Sequence, residues 1–130
     1  MKAPAPSTGG YIDLVNQYMD KRGLRHLAQD SYLEGTALDT VTESNGVMTH
    51  KLNPKVFGQV LAPGSMSDFH RVFVGGWLCE RPELWNGECS TASNGWSYSS
   101  TGHVDILVNP QYTKIGCAQY NGIVSCDLSY

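Results

Sequence analysis

An Asn121-Gly122 pair set between two apolar, β-branched runs constrains this chain more than any other feature. The pair supplies the two positive-φ residues of a type I′ turn, so the flanking runs are predicted to form a hairpin. With those two residues as the loop, Tyr120 faces Ile123 as a hydrogen-bonded pair. Alternation then makes Cys117 and Cys126 directly opposed, non-hydrogen-bonded partners. In such a pair the backbones come closest, and a cross-strand disulfide closes with little distortion.

Four cysteines in 130 residues are compatible with two disulfides or with a metal site. No Cys-x-x-Cys occurs. A Cys79–Cys89 bridge would close a small loop and Cys117–Cys126 would staple the hairpin, each stabilising by about 2–4 kcal/mol in the chain-entropy picture. Both bridges imply an oxidising compartment, and hence a secreted, extracellular protein. The Pro/Gly-rich residues 1–10 read as a disordered end, with Met1 placed before a mature secreted chain, and residues 11–130 as one domain. No run is long and apolar enough to span a bilayer. A net charge of −3 offers no basic patch, which argues against nucleic acid as a partner. No Asn-x-Ser/Thr sequon occurs.

Periodicity predicts a helix over residues 11–22 with Gly23 as its C-cap, and a second helix capped by Asp30 and running to about Ser44. The second helix is expected to bury Leu33, Ala37, Leu38 and Val41 and to end at Asn45-Gly46. Residues 56–61 read as a short strand or an extended segment. Ser65 and Asp68 form an N-terminal capping pattern for a helix carrying Phe69, Val72, Phe73, Trp77 and Glu80. Gly75-Gly76 weakens that helix on propensity and lets another backbone come close. Residues 81–95 read as a loop tied at Cys79 and Cys89. It either exposes Leu84 and Trp85 to an apolar ligand or uses Trp85 to cover the edge of the core. Residues 104–108 fit a short strand or one helical turn. Ser65 lies in no nucleophile elbow, and every cysteine has a structural partner, so neither side chain signals a hydrolase nucleophile.

Trp96, Gly102-His103, Asn109-Pro110, Tyr112-Thr113, Ile115-Gly116-Cys117-Ala118 and Cys126, with Trp77-Leu78-Cys79-Glu80 upstream, together resemble the CAP or SCP superfamily. These are the cysteine-rich secretory proteins, antigen-five allergens and plant pathogenesis-related group-one proteins, and the chain looks like a compact, fungal-type member. The resemblance implies an α+β fold, an α-β-α sandwich in which three or four helices flank a small, mostly antiparallel sheet. It also implies a central cavity, which residue-by-residue matching places at His50, Gln59, Glu80 and His103. Two imidazoles, His50 and His103, would suit Zn²⁺ or another divalent ion, with Glu80 as a third ligand or as the acceptor that orients one ring. Gln59 departs from the family's glutamate. It carries no charge to offset a cation, so weaker metal binding is expected and a hydrolysis needing two carboxylates loses ground.

Three readings of function follow from the resemblance. The first is a secreted module that binds a sterol or fatty acid, as fungal members of the family do. The second is a metal-dependent hydrolase in which His50 and His103 hold the ion and Glu80 activates water. The third is a defence-related or effector protein that meets a host or self protein partner through its surface loops without catalysis. His26 and His70 match nothing in the family pattern and read as surface or boundary residues.

Overall fold

The structure is a computed structural model that describes residues 10–85, 89 and 102–130. The expectations for residues 1–9 and for Trp96 lie outside the described residues, as does most of the loop beyond Trp85. Helix α1 spans Tyr11–Lys21 and buries Tyr11, Val15, Tyr18 and Met19. It ends as a Schellman motif. Gly23, at φ +66°, donates to Asp20 O, and Leu24 N–H reaches back to Met19 O at 2.9 Å.

Helix α2, Ser31–Ser44, is capped by Asp30, whose side chain accepts from Leu33 N–H, and stops where Asn45 turns left-handed at φ 45°. Its buried face is Leu33, Thr36, Ala37, Thr40 and Val41. Leu38, expected inside, is 45% exposed. The two threonines take the inner positions because Asp127 and Gln59 give them hydrogen-bond partners there.

The sheet contains β1 (Ala28–Gln29), β2 (Gly58–Pro63), β3 (Lys114–Tyr120) and β4 (Ile123–Ser129), in the order β1-β3-β4-β2. Only the two-residue β1 runs parallel to its neighbour. The hairpin forms as its turn dictates. Tyr120 pairs with Ile123, Asn121 and Gly122 sit at φ 49° and 82°, and Cys117 opposes Cys126 with their Cα atoms 4.1 Å apart across a disulfide. A second disulfide joins Cys79 to Cys89.

The segment opened by Ser65 departs from a regular α-helix. The Ser65 hydroxyl bonds that of Ser67 rather than a backbone amide, and a 3-10 turn at Met66–Asp68 leads into a π-helix, Arg71–Trp77. All six residues from Val72 to Trp77 are buried, so this helix lies inside the domain rather than on its surface. Residues 104–108 resolve as part of helix α3, Gly102–Val108.

Strand alternation divides the interior. Val60, Cys117 and Cys126 face a main core with α1, Phe73, Trp77 and Val104, whereas Leu61 and Ile123 turn the other way to pack on Val41 of α2. The result is a mixed sheet between two helical layers, the expected α-β-α sandwich.

Candidate functional site

The four residues expected to line one cavity fall into two pairs. Gln59 is buried, and its amide orientation is fixed by hydrogen bonds to His50, Lys51, Asp127 and Thr40. Oε1 accepts from Lys51 N–H at 3.0 Å and from His50 Nδ1 at 2.9 Å, while Nε2 donates to Lys51 O at 2.9 Å and to Asp127 Oδ1 at 2.8 Å. An amide oxygen only accepts, so His50 carries its proton on Nδ1.

Asp127 pairs with Gln59 across the β2–β4 ladder and is fully buried. It also accepts from Thr36 at 2.7 Å and from Ser125 at 3.4 Å. Thr36, Thr40, Gln59, Ser125 and Asp127 thus form a polar seam under α2, ending at the exposed His50. A carboxylate in a strand that otherwise alternates apolar and small residues is the sequence signal for Asp127, which the family pattern does not include.

The second pair lies on the main-core side of β2. Glu80 closes a 3-10 turn after the π-helix. Its Oε2 accepts from His103 Nδ1 at 2.5 Å and its Oε1 from Val104 N–H at 3.0 Å, which fixes the start of α3. The Glu80 side chain is fully buried. The His103 ring stacks on Trp77 with centroids 6.2 Å apart, and the Trp77 indole donates to Leu61 O on the free edge of β2. The two pairs thus meet β2 at different points, one through the Gln59 side chain and the other through Trp77 at the carbonyl of Leu61. Among the described residues no three His, Cys, Asp or Glu side chains come together as a metal ion requires.

Trp85 is 3% exposed and belongs to the main core, with Leu84 packed partly against it. The turn at Pro82–Leu84 and the Cys79–Cys89 bridge fold the indole inward, so Trp85 covers core rather than offering a ligand contact.

Exposed apolar side chains collect elsewhere, in the connection between α2 and β2. Val47 is 61% exposed, Met48 48% and Leu52 60%. His50 and Val47 line a cleft of about 510 Å³ with Thr40, Glu43, Thr49 and Lys51. Lys51 bridges Asp39 and Glu43 at the rim, which holds the Asp39 carboxyl below its ordinary value and the Lys51 amine above its own.

Burial pushes the Asp127 carboxyl above its ordinary value of 3.8, against the pull of its hydrogen bonds from Gln59, Thr36 and Ser125 and of nearby His50. The folded chain therefore holds that proton more tightly than the unfolded one. The contribution of Asp127 to stability is full below the unfolded pKa and is lost as pH rises through the raised folded value. Unfolding of the wild type and of Asp127→Asn, followed from about pH 3 to 7, should show the wild type losing ground to the variant across that interval.

The sequence profile of the cysteine-rich secretory protein family, CAP, matches residues 12–127. No curated protein is significantly similar in sequence. Among solved structures, the outer surface protein of Borrelia burgdorferi superposes with a TM-score of 0.58 at 18% identity, covering 99% of this chain and 98% of that one. Hookworm platelet inhibitor gives 0.57 at 16% identity, covering 100% of this chain and 72% of that one. An extracellular protein of Bacillus anthracis containing an SCP domain gives 0.56 at 17%, covering 99% of this chain but 45% of that one. At these identities the likeness is one of fold.

Proposed function

The chain belongs to the CAP, or cysteine-rich secretory protein, family, and on that premise we propose that it is a secreted, non-catalytic binding protein for a small apolar ligand, a sterol or a fatty acid. The observation that carries this reading is the apolar α2–β2 connection. Val47, Met48 and Leu52 are left about half exposed or more beside a cleft whose volume lies in the range of small-molecule sites. Two disulfides, and family relatives described as extracellular or outer-surface proteins, support secretion. No helix among the described residues is long and apolar enough to cross a membrane.

The competing hydrolase reading needs Glu80 free to activate water. Both of its oxygens are instead engaged, one by His103 and one by the Val104 amide.

A fluorescent sterol and a labelled fatty acid, titrated against the purified chain, test the proposal. Val47→Ser with Met48→Ser should leave the melting temperature unchanged, because both side chains already face solvent. The lost apolar contact should weaken binding about tenfold or more. A wild type that binds neither probe sinks the reading. Unchanged affinity in the double variant removes this cleft from it.

A further inference from the structure

Lys55 is held at φ +69°, a left-handed conformation that a lysine adopts only under strain. The cause is local. Residues 53–56 form a turn closed by Val56 N–H donating to Asn53 O at 3.0 Å, with Pro54 second and Lys55 third, the pattern of a type II turn. Glycine or asparagine suits that third position, so the turn alone gives no reason for a lysine. A different reason lies in what Lys55 borders.

Lys55 lines a surface cleft of about 310 Å³ whose walls include Lys114, Tyr32, Phe57 and Tyr130. Phe57 stacks on Tyr130 with centroids 4.6 Å apart, and Tyr130 in turn lies 6.3 Å from Tyr112 at the same 15° tilt. Tyr130 is the shared ring, so Phe57 ends the ladder, and it is 47% exposed. Two hydroxyls fix the assembly. Tyr112 donates to Phe57 O at 3.0 Å and Tyr32 to Pro54 O at 2.7 Å, which ties the rings to the turn carrying Lys55. The same cleft holds Ser129 and Asp30, whose Oδ1 caps α2. Neither lysine takes part in an ion pair among the described residues.

Each part restricts what the cleft can hold. A rigid aromatic wall favours a saturated ring that presents a face of C–H bonds. Ser129 and the second oxygen of Asp30 accept hydrogen bonds from hydroxyls, which a purely apolar ligand lacks. Two unpaired ammonium groups against one side-chain carboxylate favour an acidic ligand. We propose that this cleft binds an acidic sugar, a pyranose ring carrying a carboxylate or a sulfate. It is separate from the cleft beside His50 and does not depend on that cleft's ligand.

Titrating the full chain with methyl galacturonide, galactose 6-sulfate and neutral methyl galactoside, by calorimetry or amide NMR shifts, tests it. At least one acidic sugar should bind about tenfold or more tighter than the neutral one, and the two acids show whether carboxylate or sulfate is preferred. Lys55→Gly should keep or raise the melting temperature, because glycine relieves the strained φ, while the acidic preference falls to near parity. Phe57→Ala should lose affinity for all three sugars. Equal binding of acidic and neutral sugars, no binding of any, or a folded Lys55→Gly chain that still prefers the acids overturns the proposal.

Discussion

Gly116→Ala is expected to lower stability by about 3 kcal/mol or more, among the largest effects a single methyl group can have in this fold. A Cβ at position 116 would stand 2.2 Å from Glu34 N, 2.4 Å from Leu33 C and 2.7 Å from Leu33 Cβ. Two of these three atoms are helix backbone, which cannot swing aside as a side-chain tip can. Nor can α2 easily back away. Its N-cap residue donates to Ile115 O at 3.0 Å, and Tyr11 hydrogen-bonds Glu34 while accepting from Cys117 N–H at 3.3 Å. Lifting the helix would also break the Thr36–Asp127 bond and strip a buried carboxylate of a donor. Gly58→Ala is the control. Its Cβ would meet the side-chain ends of Ile106 and Tyr112 at 2.8 and 3.0 Å, which can shift, so about 1 kcal/mol is expected. Denaturant unfolding of the two variants checks this. Equal, small losses would mean that helix and strand are not in the close contact described.

The same glycine shows why some of the fold was legible and some was not. Asn121-Gly122 announces its turn from two adjacent residues, and strand alternation carries the consequence outward to Cys117 and Cys126. Asp30 and Gly23 mark helix ends by equally local chemistry. Leu38 misled because helical periodicity reports apolar residues, while the inner face of α2 is partly polar. Thr36 and Thr40 donate to carbonyls of their own helix and also gain partners in Asp127 and Gln59, which periodicity does not reveal. The π-helix at Arg71–Trp77 had no signature beyond its glycine pair. At the site, the family resemblance placed His50, Gln59, Glu80 and His103 together, and the hydrogen bonds join them as His50 with Gln59 and His103 with Glu80. It could not show that Gln59 turns to Asp127 and to Thr40 of α2, since that depends on which way Gln59 points from its strand. The aromatic ladder was invisible for the same reason: Phe57, Tyr112 and Tyr130 come from separate segments and meet only in three dimensions.

Arg25→Ala should cost about 3–4 kcal/mol, less than the sum of the bonds it removes, because bonds from one guanidinium are not independent. The Arg25 Nη2 donates to Leu107 O at 2.8 Å and to Asn109 O at 2.7 Å, and its Nε to Tyr112 O at 2.6 Å. Leu107 lies in the last turn of α3, where unpaired carbonyls and the negative end of the helix dipole favour a cation. Burial pulls the guanidinium pKa below its ordinary value, yet an arginine remains charged, so the desolvation is accepted in return for three charge-assisted bonds. Alanine leaves all three carbonyls without that donor. Arg25→Lys should recover only part of the loss, since an ammonium on a flexible stem cannot reproduce the planar fork. The effect should also reach the site: α3 begins at the His103–Glu80 pair, and the Val104 amide bound to Glu80 reports on it. Urea unfolding gives the energies, and hydrogen exchange at Val104 gives the coupling. Faster exchange there in Arg25→Ala, partly restored by lysine, is the expected result. Wild-type exchange in a destabilised Arg25→Ala chain would show that the two ends of α3 are held independently.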